Sequence, residues 1–164
     1  MTDAEAMVRD FHRKHDFPTG EPFPNPAETA KMREGTRFLS TAARMLTDLS
    51  RQALGMVGVN KETTRLIRAH LMLEELAETL EAMAEGDEVE FADGLADLLY
   101  VVIGAGVAYD LPVAKLFAEV HWSNMTKDVR APDDVRLSRK GQNFVPPAIA
   151  GVIALHKRAR EAQR

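Results

Sequence analysis

Glu74, Glu75 and Glu78, followed by Asp93 and Asp97, have the types and spacing for chemistry. Side chains three and four apart on a helix are neighbours. Glu74 and Glu75 therefore both adjoin Glu78, and Asp93 adjoins Asp97. Between Arg68 and Lys115 there is no lysine or arginine, yet this stretch carries eleven carboxylates. Acids directed at a core without basic partners repel one another and lose hydration. A divalent cation removes that penalty. The chain has no cysteine, and all-oxygen ligands suit Mg²⁺ or Mn²⁺. Mg²⁺ held by a few carboxylates keeps waters and takes phosphate oxygens as remaining ligands. It can acidify a bound water, and one further carboxylate can accept that proton. Glu74 and Glu75 are the candidates for that catalytic role. Glu75, Glu78, Asp93 and Asp97 are the candidate metal ligands. Three or more acids per site would support more than one ion.

Runs of Glu on helices are usually solvated faces. Three features point elsewhere. The five acids fall on otherwise apolar helical seams, Asp97 sits inside Ala-Asp-Leu-Leu-Tyr, and neither segment contains a base. Glu81, Glu85, Asp87, Glu88 and Glu90 cluster near a turn and read as exposed.

The elements that must position these acids are helices. A first helix is predicted over about residues 3–14, followed by a Pro-rich arm to Pro26. Helix two spans about 27–54, with Phe38, Leu39, Ala42, Met45, Leu46 and Leu49 as its apolar stripe. Helix three spans about 61–84. Ala69, Leu73, Leu76, Leu80 and Met83 form one seam, and Ile67, Leu71, Glu74 and Glu78 a second. Gly86 and Asp87 break it. Helix four, about 88–109, is apolar all round beyond Asp97, which predicts a buried central helix. Gly104 and Gly106 would let another helix approach. Asp110 is a candidate cap for helix five, about 112–125, whose buried side is Val113, Leu116, Phe117 and Val120. Residues 127–145 read as loop, and Pro146 and Pro147 open a last helix. The fold class is all-α: a four-helix-bundle core with extra N- and C-terminal helices.

The chain's 164 residues suit one domain, 1–164. A net charge of −4 argues against binding a nucleic-acid polymer. No apolar leader opens the chain, and the run Leu98–Tyr109 is too short to cross a bilayer. A cytoplasmic protein without a membrane partner is expected.

Glu74-Glu75-Leu-Ala-Glu78 followed by Asp93-Gly-Leu-Ala-Asp97-Leu-Leu-Tyr-Val-Val resembles the all-α nucleoside triphosphate pyrophosphohydrolases, the MazG-like and phosphoribosyl-ATP pyrophosphohydrolase-like group. Glu119-Val-His121-Trp-Ser-Asn124-Met-Thr-Lys127 is similar to another motif of that group, as is Lys140-Gly-Gln-Asn-Phe-Val-Pro-Pro. The resemblance covers about 61–150, with a weaker echo in Asp10-Phe-His12. It implies Mg²⁺-dependent cleavage between α and β phosphates, a nucleoside triphosphate substrate, and a homo-oligomer, dimer or tetramer. By position, Glu75 and Glu78 match its first metal motif, Glu74 the acid before it, and Asp97 the final Asp of the second. Where the family often has Glu three residues before that Asp, this chain has Gly94. Asp93 is the acid available to take over, with a shorter reach.

On the substrate side, the Asn124 amide can read a base or sugar, bind phosphate, or cap a helix end. Lys127 can hold a phosphate or favour a negative helix terminus. The resemblance assigns both to substrate. His121 is a candidate substrate contact, though a lone His is more often structural. Trp122 reads as an interface residue. Arg136, Arg139 and Lys140 sit on a loop that could close over phosphates. His12 and His15 flank Arg13 and Lys14 and could approach a neighbour's site.

These features give three expectations. The first is a nucleoside triphosphate pyrophosphohydrolase, for instance one that removes dUTP or a damaged nucleotide. The second is phosphoribosyl-ATP hydrolysis, and the third a non-catalytic helical protein whose acids bind a cation or a basic partner.

Overall fold

The computed structural model describes residues 2–23, 30–129 and 138–163. Six α-helices run in order: α1 (Thr2–His15), α2 (Ala30–Val57), α3 (Thr64–Glu85), α4 (Glu88–Ala108), α5 (Val113–Met125) and α6 (Ile149–Glu161). The all-α expectation holds. Among the described residues there is no strand, only an isolated antiparallel bridge between Asp128 and Arg139. Positions 27–29 of the expected second helix, Pro24 and Pro26 of the arm, and Arg136 lie outside the described residues. The chain divides into two compact units, one of residues 22–109 and one of residues 1–21 with 110–164.

The first unit holds α2, α3 and α4, with α3 packed between the other two. Gly86 ends α3 in the left-handed conformation, φ 74°, which costs glycine little because it has no Cβ. Asp87 starts α4 at once, its carboxylate accepting from the amides of Val89 and Glu90 at 3.1 Å each. This two-residue reversal turns α4 back along α3, the arrangement that the two acidic segments require.

The packing inside this unit differs from the apolar seams of the sequence. The buried residues of α2 are Ser40, Ala43, Thr47 and Leu54. Phe38, Leu39, Met45, Leu46 and Leu49, the expected stripe, are all more than half exposed. On α3 the buried residues are Ala77, Thr79, Ala82 and Ala84, while Leu76 and Met83 are open to solvent. The physical reason is that small side chains let helix axes approach closely, so the close contacts within the chain use Ala, Ser, Thr and Gly. The large apolar side chains are left on the outer faces. The expectation of a buried central α4 is corrected in the same way. Only Gly94, Val101 and Gly106 of α4 are buried, and Tyr100 and Val107 are about three-quarters exposed. By length and composition α4 is the one described helix long and apolar enough to cross a membrane.

Two glycines of α4 are filled spaces. A Cβ on Gly94 would lie 2.7 Å from Thr79 Oγ1 and 3.1 Å from Thr79 Cα. At Gly104 the occupant is a side chain rather than a helix: a Cβ would lie 3.1 Å from Arg68 Nη1.

The second unit packs α1 and α6 on α5. Contrary to the sequence expectation, Asp110 does not cap α5, whose N-cap is Pro112 with no side-chain cap. Asp110 takes a left-handed backbone, φ 51°, and its carboxylate reaches α6, 3.4 Å from His156 Nε2 and 3.6 Å from Arg160 Nε. Glu119 of α5 accepts from the Ala148 amide at 2.7 Å, at the start of α6. Ser123 donates to the Val145 carbonyl and Thr126 Oγ1 accepts from the Val145 amide, at 2.7 and 2.8 Å. Two stretches that carried the resemblance, around 119–127 and 140–147, are thus stitched together.

Candidate active site

The acids of α3 separate onto two flanks. Glu74 turns toward α2, where Arg51 Nη2 lies 3.4 Å from its carboxylate and His70 Nε2 3.9 Å. Glu81 pairs with Arg44, also from α2. These two arginines are the partners that sequence reasoning missed. It searched for bases along the acidic segment, whereas they arrive from a helix some thirty residues earlier, seven apart on one face. A cavity of about 500 Å³ lies on this flank, with Arg44, Arg51, Glu74, Glu78, Glu81 and Glu90 among its walls.

Glu75 belongs to the other flank. Its carboxyl is pushed above the ordinary 4.5, first by desolvation and then by the charges of Glu78, Asp97, Glu74 and Asp93 in that order. Carboxylates from α3 and α4 therefore act on one another, as the antiparallel arrangement predicts. Among the described residues no lysine or arginine pairs with Glu75, Glu78, Asp93 or Asp97. They are not sunk in a core, as the seam argument had it. Glu74 and Glu75 are half-buried, and Glu78, Asp93 and Asp97 are exposed. Among the described residues no three Asp, Glu or His side chains converge closely enough to hold a metal ion. The donors suit a hard dication in type and in excess charge, and such an ion would have to draw them inward.

The raised Glu75 pKa has a stability consequence. Its folded-state value lies above the unfolded one, so its contribution to stability is present below the unfolded value and lost as pH rises through the folded value. Glu75→Gln is expected to raise the Tm of metal-free protein at about pH 7.5 and to give no gain once pH falls below the unfolded value. Melts in EDTA at neutral and acid pH check this, and an equal gain at both would contradict it.

In the second unit, His121 and Asn124 of α5 line a cavity of about 110 Å³ with Val8 and Phe11 of α1 and Phe117 and Val120 of α5. Lys14 donates from Nζ to the carbonyls of Met125 and Lys127, the latter at 2.9 Å, and so tethers the end of α5 to α1. Lys127 thus contributes its backbone to this clamp. His15 is almost fully buried and lies against Phe11, ring centroids 4.2 Å apart. Burial first, then the Lys14 and Lys127 charges, hold its ring below the ordinary histidine value, while the Asn124 backbone opposes that shift. His12 Nδ1–H donates to the Pro18 carbonyl at 3.0 Å, a local structural role. Trp122 is half exposed. Lys140 sits over the Phe144 ring, 5.0 Å from its centroid, rather than over a substrate space.

Helices α3 and α4, which carry these carboxylates, lie within a stretch that matches a family of pyrophosphohydrolases, hydrolases acting on acid anhydrides. Residues 56–124, from the end of α2 through Asn124, match the family model of phosphoribosyl-ATP pyrophosphohydrolase. Comparison with curated proteins and with solved structures finds no match.

Proposed function

We propose that this protein is a divalent-metal-dependent nucleoside triphosphate pyrophosphohydrolase that cleaves between the α and β phosphates, giving a nucleoside monophosphate and pyrophosphate. The observation that carries this reading is the set of carboxylates from α3 and α4 around Glu75, with no described lysine or arginine to pair Glu75, Glu78, Asp93 or Asp97. Glu75 and Glu78 from α3, with Asp97 and Asp93 from α4, would hold Mg²⁺ or Mn²⁺. Such an ion would neutralise polyphosphate oxygens and acidify a water. Glu75, where it does not ligate the ion, is one candidate to accept a proton from that water. Glu74, tethered to Arg51, is the alternative acceptor. Asn124, Lys127 and His121 are proposed on the substrate side.

The family match favours a second reading with the same bond chemistry, hydrolysis of phosphoribosyl-ATP. A panel of ribo- and deoxyribonucleoside triphosphates and phosphoribosyl-ATP, assayed with Mg²⁺ for pyrophosphate and the matching monophosphate, decides between them. Release of orthophosphate, or of nothing from any substrate, would overturn both.

The outer faces support a homo-oligomer. Phe38, Met45, Leu49, Tyr100 and Val107 are too large and too exposed to be left to water. A bilayer is a poor alternative cover for α4, because its apolar window includes Asp93 and Asp97. A charged Asp costs up to about 2.5–3.5 kcal/mol toward mid-membrane, a penalty that falls mainly on Asp97. Light scattering at micromolar concentration is expected to give a dimer or tetramer, and Tyr100→Glu or Phe38→Glu to shift it toward monomer. A strict monomer for the unmodified chain would contradict this.

A further inference from the structure

Two close approaches fix the register of α3 against α4. Thr79 fills the space that a side chain at Gly94 would take, and the Arg68 guanidinium fills the space at Gly104. On α3, positions 68, 72, 75 and 79 form one helical seam; on α4, so do 94, 97, 101 and 104. Locked antiparallel at both ends, these seams bring Met72 level with Val101 and Glu75 level with Asp97. The Asp97 charge does act on Glu75. Arg68 therefore shares the α4-facing seam with Glu75, and all of these residues lie in the unit of residues 22–109. A rise of about 1.5 Å per residue puts the two on the order of 10 Å apart along the helix.

Arg68 is a cation with nothing to hold. Its Nε is sealed from water and has no hydrogen-bond partner, and no described carboxylate pairs with its guanidinium. Arg44 and Arg51 of α2 are instead committed to Glu81 and Glu74. A buried donor left unpaired is costly, and more so when it is charged. A guanidinium stays protonated, and its flat fork of N–H groups matches the oxygens of a phosphate. The carboxylates of the same seam are a layer too distant to serve, with Met72 and Val101 between. An anion reaches this groove most readily as a metal complex held by Glu75 and Asp97, and its far end then extends toward Arg68. A triphosphate chain with its metal spans a gap of this order, whereas a monophosphate stops short of it.

We propose that Arg68 binds the β and γ phosphates of the substrate, the part that leaves as pyrophosphate, while the α phosphate lies level with Glu75 and Asp97. This rests on the pyrophosphohydrolase reading and deepens it. In α–β cleavage the oxygen of water bonds to the α phosphorus. The bridging oxygen departs with the electron pair of the broken bond, and that charge stays on pyrophosphate. Arg68 gives up no proton; it meets the charge with fixed N–H donors. The product monophosphate does not reach Arg68 and is not held by it. Gly104 leaves the guanidinium its place against α4.

The test is isothermal titration of the full-length protein with inorganic tripolyphosphate in Mg²⁺, alongside Mn²⁺ titration without phosphate. Arg68→Met is expected to weaken tripolyphosphate binding by about tenfold or more, the usual effect of losing a charge-assisted hydrogen bond. Its Mn²⁺ affinity should stay within about threefold of the parent, because over roughly 10 Å salt screens the lost charge. Equal tripolyphosphate affinity in parent and folded variant, or no binding by the parent, would overturn the inference. A matching loss of Mn²⁺ affinity would mark Arg68 as structural and overturn it as well. Arg68→Lys keeps the charge and loses the fork, and it is the second variant if Arg68→Met does not fold. It is expected to bind tripolyphosphate about threefold or more weakly, and affinity equal to the parent would overturn the assignment. Pyrophosphate release from no nucleotide, with Arg68-dependent tripolyphosphate binding intact, would sink the proposed activity and not this site. Release with kcat and KM untouched by Arg68→Met would sink the site and not the activity.

Discussion

Glu78→Gln and Asp97→Asn are each expected to lower pyrophosphate release by about 10²–10³-fold, the usual loss when one charge-stabilising group is removed from an active site. The two residues sit on different helices, so equal severity would mean that α3 and α4 contribute to one site. Neither change should reduce the Tm of metal-free protein. Both remove a negative charge from the group of carboxylates that raises the Glu75 pKa, and neither residue is buried. Activity assays with Mg²⁺, alongside melts in EDTA, separate a lost function from a lost fold. Glu85→Gln is the matched control: it lies on the same helix but outside the group acting on Glu75. It is expected to keep activity within a fewfold of the parent.

Restoring the family's acid, Gly94→Glu, is expected to harm the protein rather than complete its site. Thr79 occupies the space where that side chain would begin. Its hydroxyl is committed, donating to the Glu75 carbonyl at 2.7 Å, so it cannot simply swing aside. Part of the obstruction is the α3 backbone itself. Overpacking of this kind costs about 1–3 kcal/mol, which at this chain length is a Tm drop of several degrees. Gly94→Ala should show much of the same loss. Thr79→Ala should relieve it in part, because the Cα of residue 79 remains 3.1 Å from the new Cβ. A double-mutant cycle on thermal stability measures that coupling. A stable and more active Gly94→Glu would show that the helices part easily and that Gly94 is a lost ligand rather than a packing requirement.

Much of the helical order was legible because its signals are local. Gly86 and Asp87 mark the α3–α4 reversal by backbone freedom and side-chain capping, both written into single residues. The acidic spacing on α3 and α4 followed from helical periodicity, and the Gly86–Asp87 reversal set the two segments side by side. What could not be read was which face of each helix meets its neighbour inside the chain. Large apolar residues such as Phe38, Met45 and Tyr100 announce burial without saying against what. The close intrachain contacts fall to Ala77, Thr79, Ala82 and Gly94, small residues whose role appears only when the helix axes are known. The Arg51–Glu74 pairing was invisible for a related reason: its partners are 23 residues apart, on different helices. Asp110 failed as a cap because a contact with α6 competes for its carboxylate.

The recess between α1 and α5 was half legible. His121 and Asn124 stood out by type and position. The contribution of α1 did not, because Val8 and Phe11 look like the ordinary apolar side of a short helix. Only the docking of α1 on α5, fixed by Lys14 on the helix end, turns them into the wall of a small cavity.

Electron paramagnetic resonance titration of Mn²⁺ into metal-free protein, without nucleotide and then with a non-hydrolysable triphosphate analogue, tests the central claim most directly. The account predicts saturable Mn²⁺ binding to the parent protein, tightened by the analogue, and weakened severely by Glu78→Gln on α3 and by Asp97→Asn on α4. Mn²⁺ binding left intact by both variants, or none by the parent protein even with the analogue, would contradict it.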